Sequence, residues 1–452
     1  MPFPTPMFAL FMLALLPLWH GAGARPWARI WIALAAAACV LGASGGPSLA
    51  AAACVAGWAA MLARSAGAVG AWPWRVGVAA LALPLAYFKY GAWLGLGEAA
   101  WRGAMPAGLS FYTFSCLAWV LAKREGSYAG GGLAGAAGAL FFPTLGAGPV
   151  CRPMDAAEQL AAPLARPEFG RCAAPFVLGL FLKLVVSTRL GAIADWGFAN
   201  PSSWSLGGMA WTVHAYAGQL YADFAGYSLM AIGVGRALGV ELPSNFEAPY
   251  FARGIGDFWR RWHVSLSTFW RDRLYIPMGG SRSGRARELA ALMAVMLLCG
   301  LWHGAGWSFL VWGGLHGAML CAQRAWRWSG GRRWPGWLAW AATFEFVCWA
   351  WLPFRVSDMG QLAVMARSVA EGVGGSGLGV GMDGAQMGGA WILGACWAAL
   401  FVEHGFKERM LSRAAVLGRG HPWVLCACVV LALMACVELA PEGIPPFIYA
   451  NF

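Results

Sequence analysis

The chain has 452 residues, 60% of them hydrophobic and only 12% charged, whereas a soluble domain carries roughly 25% charge and roughly 45–50% apolar residues. That balance excludes an ordinary soluble protein, and so much apolar side chain with so little charge excludes disorder as well. The net charge of +12 reads as membrane topology, with Lys and Arg gathered in cytoplasmic loops, and not as a nucleic-acid surface. The lipid bilayer is the first partner the composition names.

Only Lys89, Lys123, Lys183 and Lys407 are lysines, so the positive charge is almost all guanidinium, which suits bidentate phosphate and carboxylate contacts. The 12 cysteines sit singly in apolar runs with no C-x-x-C pair. They read as small buried hydrophobes, and neither a disulfide framework nor a metal site is expected. The 62 glycines and 28 tryptophans fit helices that approach closely and rings that mark membrane interfaces.

In chain order, the apolar run Phe3 to Trp19 ends in Gly21-Ala22-Gly23-Ala24, which has the look of a signal peptide with a small-residue cleavage site. No positive charge precedes it, however, while Arg25 and Arg29 follow. The asymmetry favours an uncleaved spanning helix with its N-terminus outside the cytoplasm. Apolar stretches follow at about 30–43, 48–63, 76–96, 107–122, 132–147, 173–193, 207–239, 289–325, 336–353, 388–404 and 421–440. At ~20 residues per span they predict roughly eleven to thirteen crossings. The expected fold is therefore all-α, one integral-membrane domain over residues 1–452, and the Gly-rich stretch Gly372 to Gly389 reads as a loop or re-entrant connection.

Charge is concentrated between Arg253 and Arg287, where eight arginines face only Asp257 and Asp272, so half of the net charge lies in one stretch. Phe258, Trp262, Leu266 and Phe269 follow i, i+4, i+8, i+11 and predict one amphipathic helix at the membrane surface. A helix that merely binds anionic lipid would look much the same. Two details add to it: His263 lies inside the aromatic run, and Tyr275-Ile276-Pro277-Met278-Gly279-Gly280 follows, a turn whose glycines let backbone N–H groups approach a ligand.

Basic residues flank both ends of the 289–323 hairpin, Arg285 and Arg287 before it and Arg324 and Arg327 after, which puts both ends on the cytoplasmic side. Its first arm, Leu289 to Trp302, would rise ~21 Å as a helix, short of the ~30 Å hydrocarbon core, so His303 falls at membrane depth. An ionisable group there faces protein or a water-filled cavity: either a functional residue or a hydrogen-bonded packing residue. His316, among glycines on the return arm, reads as structural first and as cavity lining second. Gln219, Tyr221, Asp223 and Tyr227 in another apolar segment could line a cavity or tie helices together, and Asn245 and Trp302 could line the same cavity.

Several stretches, taken in order, resemble a known family. They are Gly108-Leu109-Ser110-Phe111-Tyr112-Thr113-Phe114; Phe141-Phe142-Pro143 with Gly148-Pro149-Val150-Cys151-Arg152; Tyr221-Ala222-Asp223-Phe224-Ala225-Gly226-Tyr227-Ser228; and Asn245-Phe246 with Pro249-Tyr250. After them come Phe258-Trp259-Arg260-Arg261-Trp262-His263-Val264-Ser265-Leu266-Ser267, then Trp270-Arg271-Asp272, Tyr275-Ile276-Pro277 with Gly279-Gly280, and Leu301-Trp302-His303-Gly304. The series resembles the membrane-bound O-acyltransferase superfamily, in the bacterial branch of alginate O-acetylation and teichoic-acid D-alanylation. It covers about residues 100–320, with Phe447-Ile448-Tyr449 also in keeping. The chain departs from the branch at Ala225 and Leu229, where the family often has Ser and Asp, and at Ala122, where an acidic residue is common.

The resemblance implies that His303 is the intramembrane catalytic histidine and His263 the second functional one. Acyl transfer from a thioester to a hydroxyl needs a base at the attacking oxygen, a stabilised oxyanion and exclusion of water. On this reading acetyl-CoA, a substrate and not a cofactor, enters from the cytoplasm. Arg260, Arg261, Arg271 and Arg273 hold its phosphates, with Trp262 and Tyr275 in the donor site. His303 acts as general base, or forms an acyl-histidine intermediate. The resemblance further implies delivery to an exported polymer (alginate, cellulose, another exopolysaccharide or peptidoglycan) with a separate extracytoplasmic acyltransferase as partner, in a bacterial inner membrane. Two alternatives stand beside it: aminoacyl transfer such as D-alanine from a carrier protein, and a non-catalytic channel or polymer-export subunit.

Overall fold

A computed structural model describes residues 3–95, 105–146, 148–149, 153–164, 166–199, 206–356, 359–374 and 384–441. In chain order its helices are α1 (Pro6–Gly21), α2 (Pro26–Gly42), α3 (Gly46–Ser65), α4 (Ala71–Leu81), α5 (Leu83–Tyr90), α6 (Leu109–Arg124), α7 (Gly132–Ala139), α8 (Pro153–Ala161), α9 (Phe169–Phe181) and α10 (Thr188–Ala199). There follow α11 (Leu206–Ala237), α12 (Ile255–Arg261), α13 (Val264–Trp270), α14 (Arg285–His303), α15 (Trp307–Trp328), α16 (Gly336–Ala350), α17 (Leu352–Arg355), α18 (Met359–Gly374), α19 (Gly384–Gly420) and α20 (Pro422–Leu439). The protein is an all-α polytopic membrane protein. Five segments among the described residues are long and apolar enough to cross a bilayer: Gly46–Ser65, Phe169–Ala199, Arg285–His303, Gly389–Gly420 and Pro422–Leu439. The last of these is only 11% buried in its apolar window, and Leu431, Met434 and Val437 are exposed. An apolar helix whose side chains point away from protein faces lipid.

The chain divides into two compact units: Met1–Leu180, Tyr227–Ser244 and Leu411–Met434 form the first; Phe181–Gly226, Asn245–Met410 and Ala435–Phe452 form the second. In the first, Gly108 begins the motif helix α6 in a left-handed conformation (φ 75°), and a Cβ there would lie 2.5 Å from the Leu145 carbonyl oxygen. Only glycine meets both demands. Phe142 packs edge-on to Phe11 at 5.4 Å, and the Trp19 indole donates to the Leu238 carbonyl at 3.0 Å. The motif residues Val150, Cys151, Arg152 and Phe447 to Tyr449 lie outside the described residues, as do residues 375–383 of the Gly-rich stretch.

Two expected elements differ. The 76–96 run is not one helix: α4 stops at Leu81 and α5 restarts with Pro84 in its first turn, where the missing proline N–H costs nothing. The basic amphipathic stretch is also broken. Trp262 is extended (φ −99°, ψ 128°), and His263 is left-handed (φ 43°, ψ 53°) between α12 and α13. The stripe drawn through Phe258, Trp262, Leu266 and Phe269 therefore does not run along a single helix. The 289–325 hairpin is present as α14 and α15, but α14 begins at Arg285, one turn before the expected arm.

Candidate active site

The second unit gathers three buried histidines, His263, His303 and His316, at 1%, 3% and 0% exposure. His303 is the last residue of α14, where the turn to α15 leaves the helix; its ring lies edge-on to Trp302 (4.8 Å), Trp312 (5.1 Å) and Phe354 (5.1 Å). Trp302 is also edge-on to His263 at 6.2 Å, and Trp312 is 4.9 Å from His316. The imidazoles thus form a row with one indole between each pair. Apolar walls of this kind exclude water.

The row depends on close approach of α14 and α15. A Cβ on Gly300 would meet the Phe309 carbonyl, one on Gly313 the Met296 carbonyl, and one on Gly304 the Phe309 ring. Small residues at a helix interface in lipid allow backbones to touch.

His263 is turned inward by the break between α12 and α13. Its Nδ1 is 3.3 Å from Asn245 Oδ1, which also accepts from Ser265 Oγ at 2.6 Å, and Phe224 covers its ring edge-on at 4.6 Å. Nε2 is buried without a hydrogen-bond partner among the described residues, as are both ring nitrogens of His316. Asp223, on α11, forms a buried ion pair with Lys183, which lies in the π-helical segment Leu182–Ser187. Gln219 packs at Gly191, where a Cβ would lie 2.7 Å from its Nε2. Tyr227 belongs to the first unit, its ring 4.6 Å from Phe3.

The arginines lie on or near the surface of the same unit. Arg260 and Arg261 both reach Asp257 Oδ1 (3.2 and 3.1 Å), and Arg271 reaches Asp272 (2.8 Å), with side chains 68%, 36% and 57% exposed. Partial burial pushes the Asp257 carboxyl up, but hydrogen bonds from Arg261 and the Arg253 N–H, with the charge of Arg260, more than offset it and hold the group below its usual value. Arg273 lies in a second π-helical segment, Arg271–Tyr275. Tyr275 donates to Glu288 (3.1 Å), which also pairs with Arg324 (2.8 Å); burial and then Glu288 raise the phenol above its ordinary value. A guanidinium has five donors, and the contacts to Asp257 and Asp272 use one of Arg260 and one of Arg271. Trp262 is not on this surface. It is 1% exposed, stacked on Phe258 at 5.4 Å and packed against Phe246 and Trp351 at 5.0 Å each.

Residues 137–356 match the family model described as MBOAT, membrane-bound O-acyltransferase family. This region is a membrane-bound O-acyltransferase domain. The chain is 38% identical over 261 residues to a probable alginate O-acetylase AlgI of Pseudomonas aeruginosa (56% of this chain, 49% of that protein). It is 43% identical over 187 residues to a peptidoglycan O-acetyltransferase of Helicobacter pylori (41% and 36%). With a teichoic acid D-alanyltransferase of Bacillus subtilis it shares 26% over 234 residues (48% and 59%). The chain spans about half the length of the alginate relatives it matches.

The acyltransferase domain contains all three histidines, Asn245 and the arginine surface, yet one buried polar cluster draws on residues beyond it. Glu403 on α19 accepts from Tyr221 Oη (2.8 Å) and His404 Nδ1 (2.7 Å), while His404 Nε2 accepts from the Tyr250 N–H (3.3 Å) and Lys407 donates to the Phe246 carbonyl (2.7 Å). Sequence reasoning missed it. The available signal was Glu403 and His404 at the end of the apolar 388–404 run, with Lys407 about one turn further on, because ionisable groups in such a helix need buried partners.

Proposed function

We propose that this protein is a membrane O-acyltransferase that takes an acetyl group from cytoplasmic acetyl-CoA and passes it through the membrane to hydroxyls of an exported polysaccharide or of peptidoglycan. The observation that carries the reading is His303, buried at the end of α14 against Trp302, Trp312 and Phe354, inside the acyltransferase domain. The hydroxyl oxygen attacks the thioester carbonyl while His303 takes its proton. The C–S bond then breaks, and the same imidazole returns the proton to the departing thiolate. Exposed Arg260, Arg261 and Arg271, with Arg273, hold the coenzyme phosphates at the protein surface. Three aromatic rings packed about 5 Å from the His303 ring favour a short acyl group over a long chain. The named activities of the alginate and peptidoglycan relatives support acetyl as the group and a cell-envelope polymer as the acceptor. A separate extracytoplasmic acyltransferase completes delivery, from a site on the inner membrane of a bacterium.

The test is thiol release from acetyl-CoA by protein in lipid nanodiscs, with oligosaccharide acceptor. His303→Ala should lower turnover by about 10²-fold or more, and Arg260→Ala with Arg271→Ala should raise KM for acetyl-CoA in a salt-dependent way. Wild-type turnover in a folded His303→Ala variant would refute the assignment. Activity with a D-alanyl-loaded carrier protein, and none with acetyl-CoA, would move the donor to the aminoacyl class.

A further inference from the structure

We propose that Asn245 is the positioning residue that fixes which nitrogen of His263 carries hydrogen, leaving Nε2 bare as a proton acceptor in the site. The proposal rests on the reading above that His263 serves acyl transfer. The backbone geometry comes first. Residues 245–247 run beside the break between α12 and α13, with a bridge between Phe246 and Trp262, Glu247 N–H donating to the Arg261 carbonyl (2.9 Å) and Val264 N–H to the Asn245 carbonyl (3.0 Å). These bonds hold His263 in the left-handed region, where a residue with a Cβ is strained by about 1–2 kcal/mol. A helix continued through this position would place the ring about 100° around the axis from Trp262, off the apolar stripe; the break instead leaves it 1% exposed.

The side-chain geometry then selects the tautomer. Asn245 Oδ1 can only accept, and it takes the Ser265 hydroxyl hydrogen at 2.6 Å. His263 Nδ1 lies 3.3 Å from the same oxygen and 3.4 Å from Ser265 Oγ, whose one hydrogen is committed to the shorter bond, so Nδ1 meets two acceptors and carries the imidazole hydrogen. A neutral ring has only one, so Nε2 presents a lone pair. That atom is buried without a partner among the described residues, and it can accept a hydrogen bond from the hydroxyl or thiol that enters. Burying an acceptor unsatisfied is unfavourable, and a substrate proton relieves it.

The experiment is ¹⁵N spectroscopy of histidine-labelled full-length protein in bilayers, with the His263 signal assigned by its loss in His263→Ala. The expected result is hydrogen on Nδ1 in the wild type, hydrogen on Nε2 or on both in Asn245→Ala, a smaller change in Ser265→Ala, and retention on Nδ1 in Asn245→Asp. Turnover should fall by about 10- to 100-fold in Asn245→Ala, with KM for acetyl-CoA within about twofold because the arginine surface is untouched. Hydrogen on Nε2 in the wild type, or retained on Nδ1 in Asn245→Ala, would overturn the proposal. Should Asn245→Ala fail to fold, the wild-type spectrum still decides. Full turnover in His263→Ala would remove His263 from the proposed function while leaving the tautomer result intact.

Discussion

The two adjacent glycines of α15 offer a matched test of how the hairpin places His303. A Cβ on Gly313 would collide with the Met296 carbonyl oxygen, with the carbonyl carbon at 3.1 Å and Leu297 Cα at 3.2 Å; a Cβ on Gly314 would touch only a Leu297 methyl at 4.0 Å. The first set of obstacles is backbone, so relief requires α14 and α15 to separate. Gly313→Ala gains about 0.8–1.0 kcal/mol of helix propensity and loses about 1–3 kcal/mol to overpacking, a net loss of up to about 2 kcal/mol. Gly314→Ala keeps the propensity gain and should be neutral or slightly stabilising. Separation by about 1 Å at the helix that carries His303 can cost about 10²-fold in rate, so Gly313→Ala should lose far more turnover than stability. Thermal unfolding followed by a thiol-reactive dye suits the chain, since Cys116, Cys299 and Cys348 are buried and free. Wild-type melting and turnover in Gly313→Ala would refute the reasoning, and equal losses in Gly314→Ala would show that the contact is not the cause.

Lys183→Met or Asp223→Leu alone removes one charge of a pair buried to 3% and 1% exposure. Each should lower the melting temperature through a loss of about 3–5 kcal/mol, while the double replacement should recover most of it; additive losses in the double variant would contradict the ion-pair account. His316→Phe bears on the third histidine. Both His316 ring nitrogens, with the indole nitrogens of Trp259, Trp312 and Trp351, lack partners among the described residues, and each such group costs about 1–3 kcal/mol. The ring of similar shape should therefore keep turnover within about twofold and raise the melting temperature. A large loss of turnover at an unchanged melting point would instead put His316 in the site.

How much of this was legible in the sequence differs by residue, and the reason is physical. The hairpin and the burial of His303 follow from hydropathy and flanking arginines, because in lipid those two features govern where helices start and end. The break at Trp262-His263 does not follow. No Gly or Pro marks it, and the apolar spacing continues through it as a helix would. What ends α12 is pairing with residues 245–247, a tertiary contact that no local window contains. The same holds for Trp262. Its place beside Arg260, Arg261 and His263 in sequence suggested the donor surface, yet the extended backbone at this one residue turns it into the aromatic core.

The Asn245–His263 contact gathers these strands into one argument. An eighteen-residue separation brings no periodic signal, and an asparagine in a connecting segment reads as turn chemistry. Only when the break is seen does the logic appear. The chain accepts a strained histidine and a broken helix to bring one imidazole inward, and the residue whose backbone holds the break is the residue whose side chain meets that imidazole. Strain kept where the chemistry would occur is what a functional site, more than a stable fold, requires. On that ground the paired test of Asn245 and His263 separates positioning from packing more sharply than loss of either histidine alone.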